Sequence, residues 1–171
     1  MSYDLYLYPP EEQAPEHASV YRQLSFSSLD PLWPEMPDPI SIMKQDRIVA
    51  ELCEIYPEFT IFTSHYDYTE LGEGKGRRVE LTQESGLQVA LYQDSAFITI
   101  PYGYRDESSL RAIFEQIRKC VAAIEDVTGY VTEDPQSKGL VKLPDDIEYM
   151  VRAYLGMMGR IDKDFIQNSD S

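Results

Sequence analysis

Few residues of this sequence have the types and spacing that metal binding or nucleophilic catalysis requires. Its only histidines are His17 and His65, and in the stretch HYDY His65 and Asp67 stand at alternate positions that could share one strand face. Two ligands do not complete a zinc site, and no CxxC motif supplies the others. Cys53 and Cys120 lie in helical patterns without a histidine nearby in sequence, which favours small buried side chains over a thiolate nucleophile. We therefore predict no metal site and no catalytic cysteine.

The stretch GEGKG at residues 72–76 has glycines at alternate positions, as phosphate-binding loops do. It lacks the Lys-Ser/Thr ending of such a loop and the strand-loop-helix context that places one. We predict a glycine-rich hairpin loop here and no cofactor site.

Paired carboxylates are the remaining candidates for catalysis. They are Glu11/Glu12, Glu51/Glu54, Glu133/Asp134 and Asp145/Asp146. Glycoside hydrolysis needs two carboxylates that face each other across a cleft. Each pair also has a simpler role in a loop, on an exposed helix face or at a helix start. We predict that the protein is not an enzyme, and the alternative is a hydrolase that uses these loop carboxylates.

The charge balance of the chain narrows the choice of partner. Thirty acidic residues against fifteen basic ones give a net charge of −15, which repels nucleic acid and anionic membrane surfaces. This charge either serves solubility alone or speeds encounter with a basic protein partner. The opening MSYDLYLYPPEEQ lacks the basic region of a secretory signal, and no apolar run approaches the roughly 20 residues that span a bilayer. With 43% apolar residues a globular protein is expected, and the two cysteines in helical patterns favour a cytoplasmic location with reduced thiols.

Residues 9–40 differ in composition from the rest of the chain. Seven of the eleven prolines lie in this segment, together with the only tryptophan, Trp33. We interpret it as a Pro-rich acidic arm. It is either a surface wrap pinned to the body or an exposed recognition arm, in which Trp33, Glu35 and Asp38 would contact a partner.

Hydrophobic periodicity predicts the elements that position these residues. They are a strand over 3–8, a helix over 41–56, a strand over 58–64, a glycine-rich loop over 65–78, a three-strand meander ending in AFITIPY, a helix over 107–126, a return strand in TGYVT and a helix over about 144–166. In this reading EDPQ ends the return strand.

This order of elements predicts a single α+β domain over residues 1–171. We expect a mainly antiparallel sheet with helices on one face, a variant of the split β-α-β (ferredoxin-like) arrangement, with the C-terminal helix appended.

Four aromatic residues are predicted to share the sheet face away from the helices. Tyr6 and Tyr8 alternate with the apolar residues of the first strand, and Tyr92 and Phe97 occupy non-core positions of adjacent meander strands. Such a face is typical of RNA-stacking platforms, but the negative charge opposes that use. We predict either burial of these rings under the arm or a protein-binding face.

The stretches SYDLYLY, AFITIPY and TGYVTEDPQ resemble those of a loose group of small, acidic, mostly uncharacterised bacterial proteins. Some of its members resemble immunity proteins that accompany contact-dependent or type VI secreted toxins. The similarity covers residues 3–8 and about 77–136. The resemblance implies a non-enzymatic cytoplasmic binding protein that neutralises a cognate toxin, with no catalytic residues to carry over.

A third hypothesis is a self-associating structural module. Tyr154, Met157 and Met158 of the last helix would form the face of a homodimer.

Overall fold

The computed structural model describes residues 2–10, 39–67, 75–136, 139–143 and 145–169. Within these ranges the chain forms one seven-stranded sheet and three helices, and every strand pairing is antiparallel. The elements are β1 (Ser2–Tyr8), α1 (Pro39–Ile55), β2 (Thr60–Asp67), β3 (Lys75–Thr82), β4 (Gln88–Leu91), β5 (Ala96–Pro101), α2 (Glu107–Thr128), β6 (Val131–Asp134), β7 (Gly139–Leu140) and α3 (Ile147–Ser169).

The order of strands across the sheet is β2-β3-β4-β5-β1-β6-β7. Since β1 is antiparallel to both β5 and β6, those two strands run parallel, and α2 connects them across β1. β1 and β2 are also parallel. α1 lies in the connection between them, and β3, β4 and β5 lie between them in the sheet. The predicted α+β fold with a split β-α-β arrangement is therefore confirmed, widened by additional strands.

The core lies between one sheet face and the helices because apolar residues alternate along the strands. Leu5, Ile98, Val89 and Leu81 stand opposite one another across four strands, and each is at most 1% exposed. Helix side chains such as Phe114 belong to the same buried apolar cluster as this row. The helices that contribute to this cluster therefore lie on one side of the sheet.

The capping residues of α2 define its two ends. The Asp106 carboxylate accepts a hydrogen bond from the Ser109 amide at 2.8 Å, as an N-cap does. At the other end Gly129 adopts a left-handed conformation with φ 71°, and its amide donates to the Glu125 carbonyl at 2.7 Å. The predicted start at residue 107 is confirmed, and the helix runs two residues beyond the predicted end at 126.

Two predicted boundaries are wrong because strand pairing extends further than local composition indicates. The loop predicted over 65–78 is shorter, since His65 pairs with Arg77 and Asp67 pairs with Lys75. Glu133 and Asp134, predicted to end the return strand, are part of β6. In both places the polar sequence indicates a solvent-exposed loop, but the backbone groups form hydrogen bonds with a neighbouring strand.

The predicted dimer face on the last helix is wrong. Tyr154 is fully buried and Met158 is 8% exposed, because both pack into the core. The Tyr154 hydroxyl donates to the Pro101 carbonyl at 2.7 Å and accepts from the Gly103 amide at 2.9 Å, which fixes α3 to the end of β5. In the part of the chain that the structure describes, no helix is long and apolar enough to cross a membrane.

Replacing Gly156 by alanine is expected to stabilise the protein by about 0.5–1 kcal/mol. Gly156 is an exposed residue inside α3, and a Cβ atom built on it meets no heavy atom within 4 Å. Alanine therefore gains helix propensity without a clash, which urea unfolding would measure. A loss of stability would contradict this prediction, since it would mean that the glycine serves close packing.

Candidate binding face

Three of the four predicted aromatic residues form a ring cluster on the sheet face opposite the helices, which we call the open face because the described helices pack on the other side. Tyr6 of β1 stands directly opposite Phe97 of β5, and their ring centroids are 4.9 Å apart at 76°. The rings of Tyr92 and Phe97 are 5.4 Å apart at 74°. Both contacts have the edge-to-face geometry that aromatic pairs prefer.

The register of the sheet places two rings of this cluster, Phe97 and Tyr6, in one row between two acids. Reading across five strands, Glu80, Ala90, Phe97, Tyr6 and Glu133 stand opposite one another in turn. Directly opposed residues of antiparallel strands share a face, so all five belong to the open face. The row therefore has aromatic residues in its middle and a carboxylate toward each side.

A cation completes the cluster at Tyr92. The Arg78 guanidinium carbon lies 5.5 Å from the centroid of the Tyr92 ring, within the range of a cation–π contact. Arg78 also forms an ion pair with Glu80, so its charge is matched within the protein.

The fourth predicted residue, Tyr8, lies on the open face beside the cluster. Its hydroxyl donates to the Glu133 carboxylate at 2.7 Å. Toward the other end of β1, Asp4 accepts from the Thr99 hydroxyl at 2.8 Å. The carboxylates of Asp4, Glu80 and Glu133 thus surround the rings on the open face.

The electrostatic environment of Tyr6 reflects this arrangement. Burial raises the pKa of the Tyr6 phenol above its usual value, and the nearby carboxylates of Asp4 and Glu133 raise it further. The phenol is therefore neutral at physiological pH. It offers an apolar ring with a hydroxyl that can donate a hydrogen bond.

Trp33, Glu35 and Asp38 lie outside the residues that the structure describes. The recognition arm therefore stays a prediction.

Where the structure describes them, the other candidate sites do not gather catalytic groups. Among the described residues, no group of three or more His, Cys, Asp or Glu side chains could hold a metal ion. Burial raises the pKa of the Cys120 thiol to about 12, so it stays protonated, unlike a nucleophile. Lys75 and Gly76, the end of GEGKG, begin a strand and are not followed by a helix, which contradicts a phosphate loop.

The acidic pair Glu133/Asp134 is divided between the two faces of the sheet. Glu133 belongs to the open face, whereas Asp134 is fully buried on the helix side, where its carboxylate accepts from the Tyr3 hydroxyl at 2.5 Å. Successive strand residues point in opposite directions, so these carboxylates cannot act together on one substrate.

Sequence reasoning missed the charged members of the open face, which are Asp4, Arg78, Glu80 and Glu133. Asp4 has the same parity as Tyr6 and Tyr8 on β1, so that pattern could have identified it. Glu133 and Arg78 lay in segments predicted as a strand end and a loop, and their membership depends on where β6 and β3 begin and end.

Comparison of the chain with protein-family models, curated proteins and solved structures gave no match.

Proposed function

We propose that this protein is a non-enzymatic binding protein that takes a basic protein partner against the open face. It would act as an immunity protein does when it neutralises a cognate toxin. The observation that carries this proposal is the row of five residues in which Phe97 and Tyr6 stand between Glu80 and Glu133.

The composition of the open face supports recognition of a cationic surface. Half-buried rings such as Tyr6 and Phe97 offer apolar area with few rotatable bonds, and tyrosine is enriched at the centre of protein interfaces. Of the rim carboxylates, Glu80 is already paired with Arg78. Asp4 and Glu133 accept from hydroxyl groups and would pair with Lys or Arg of the partner and set its orientation.

The charge of the whole chain supports rapid capture. A net charge of −15 attracts a basic partner over distances of about a Debye length, roughly 8 Å at physiological salt. Cys53 and Cys120 are free thiols, which supports the cytoplasm as the compartment of the proposed interaction.

The test is coexpression of this protein with candidate toxins encoded beside its gene. The expected result is restored growth and a stable complex with one of them. Phe97→Ala is expected to weaken that complex by about 10- to 100-fold, since it removes the ring at the centre of the cluster. Binding is measured by calorimetry, after circular dichroism has shown that the variant is folded.

Tyr149→Ala is the matched control. Tyr149 is a 47% exposed aromatic residue of α3, on the opposite side of the sheet. Its removal should change affinity by less than about twofold. Equal losses for both variants, or no binding to any neighbouring gene product, would contradict the proposal.

A further inference from the structure

The two edges of the sheet differ in a way that points to a second interaction surface. At one edge β7 has only two residues, Gly139–Leu140, whereas at the other edge β2 has eight, Thr60–Asp67. Within the described ranges, β3 is the only strand that pairs with β2. Proteins usually protect an edge strand by shortening it, by adding Lys or Pro, or by covering it, because its outer backbone groups attract other strands.

β2 has none of the protective residues. Its sequence TIFTSHYD contains no Pro, Lys or Arg, and its one acid is the last residue, Asp67. Ile61 and Phe62, which point to opposite faces, are 47% and 61% exposed. Alternate residues of an edge strand direct their amide and carbonyl groups outward. The edge thus presents a ladder of hydrogen-bonding groups with an apolar side chain on each side.

The charges near β2 are arranged at its ends. Glu58 precedes the strand and Asp67 closes it. The basic residue Arg77 on the neighbouring strand is neutralised by Asp46, with 2.6 Å between guanidinium nitrogen and carboxylate oxygen. The edge therefore has an apolar middle, with the acid Glu58 before it and the backbone pair of Asp67 and Lys75 at its other end.

The negative charge of the chain discriminates between the two kinds of strand that could add to the edge. A second copy paired along β2 would bring together two chains that each carry a net charge of −15, and this repulsion opposes pairing. A segment with Lys or Arg toward its ends would instead place opposite charges together.

We propose that the outer edge of β2 takes up an extended segment of a protein partner, with apolar residues at its centre and Lys or Arg toward its ends. Main-chain hydrogen bonds to β2 would supply affinity, while Phe62, Ile61 and the acid Glu58 before the strand would select the segment. The inference rests on the proposed function in one respect: the segment belongs to the same basic partner.

The test uses a capped synthetic peptide, Lys-Thr-Val-Phe-Val-Thr-Lys, and a counterpart with glutamate in place of both lysines. Amide hydrogen exchange is followed in the full-length protein. The lysine peptide is expected to slow exchange at outward-facing amides of β2 by about tenfold when present at ten times its dissociation constant. The glutamate peptide is expected to slow it much less.

Two variants locate the effect. Thr63→Lys places at the exposed centre of β2 a charge of the kind that protects natural edges, and it should abolish the slowing. Met43→Lys introduces the same charge at a 71% exposed position of α1 and should retain it. Because the wild-type comparison of the two peptides needs no variant, the test stands even if Thr63→Lys unfolds.

Three outcomes would overturn the proposal. They are unchanged exchange in β2 with the lysine peptide, equal slowing by both peptides, and slowing without peptide that grows with protein concentration. The last would identify a second copy as the occupant. Since none of these measurements involves a toxin, failure at the edge is distinguished from failure of the proposed function, which the coexpression assay tests.

Discussion

Replacing Tyr3 by phenylalanine is expected to lower the free energy of unfolding by about 2–4 kcal/mol. The Tyr3 hydroxyl donates to the Asp134 carboxylate at 2.5 Å, and both residues are at most 1% exposed. Without the hydroxyl, the buried carboxylate loses one of its hydrogen-bond donors, while the Gln136 amide still donates to its other oxygen at 2.8 Å. The ring would keep its packing against Phe114, so the loss reports the hydrogen bond. Urea unfolding at pH 7 measures the difference.

Tyr8→Phe is the matched control for this prediction. Tyr8 lies on the same strand and its hydroxyl donates to the carboxylate of Glu133 at 2.7 Å, but this bond is only partly buried, on the open face. Water can replace the hydroxyl there, so the expected loss is below about 1 kcal/mol. Equal losses at the two tyrosines would show that the burial of Asp134 does not determine the cost.

The stabilities of the wild-type protein and of Tyr3→Phe should respond differently to alkaline pH. Burial, and then the hydrogen bond to Asp134, raise the pKa of Tyr3 well above its usual value. Folding therefore favours the protonated phenol, and the stability that it contributes is present below about pH 10 and declines as the unfolded chain ionises above that pH. Phenylalanine cannot ionise, so the gap between wild type and Tyr3→Phe should narrow above about pH 10. A gap that widens would contradict this assignment.

Replacing Gly86 by alanine is expected to cost about 2–4 kcal/mol. Gly86 closes the turn between β3 and β4, where its amide donates to the Gln83 carbonyl at 2.9 Å, and its φ is 86°. A Cβ atom there would lie 2.7 Å from Cγ and 2.9 Å from Cδ of Pro101. The substitution therefore combines a left-handed backbone conformation that alanine disfavours with a clash against a rigid ring. Thermal and urea unfolding would measure the loss.

Gly129→Ala separates the two causes. Gly129 also has a positive φ, 71°, but a Cβ atom there meets no heavy atom within 4 Å. Only the conformational cost of about 1–2 kcal/mol is expected. If Gly86→Ala costs no more than Gly129→Ala, Pro101 moves aside and the steric part of the prediction is wrong.

Periodicity in the sequence was sufficient to predict most of the fold. Tyr3, Leu5 and Leu7 alternate with polar residues and are all buried on the helix side, as the period of two requires. The long helix that begins at Glu107 follows from an equally local pattern of apolar residues. Such patterns work because they record which face of an element leaves water.

Bonds between distant residues could not be predicted in this way. Tyr3 and Asp134 are 131 positions apart, and no local feature of EDPQ indicates that its aspartate accepts a buried hydrogen bond from the first strand. The candidate site was predictable only in part for the same reason. Parity placed Tyr6 and Phe97 on one face, but their contact depends on β1 pairing with β5, which local sequence does not specify.

The central position of β1 has a consequence for how the protein is made. The first strand of the chain lies between β5 and β6, and its opening residue Ser2 pairs with Pro101. During synthesis β1 cannot pair until the ribosome has released β5 and β6. Its apolar side chains lack these neighbouring strands until then. Refolding is accordingly expected on the millisecond-to-second timescale of sheets built from distant segments. The nascent chain is most prone to aggregation before β5 and β6 are available to pair with β1.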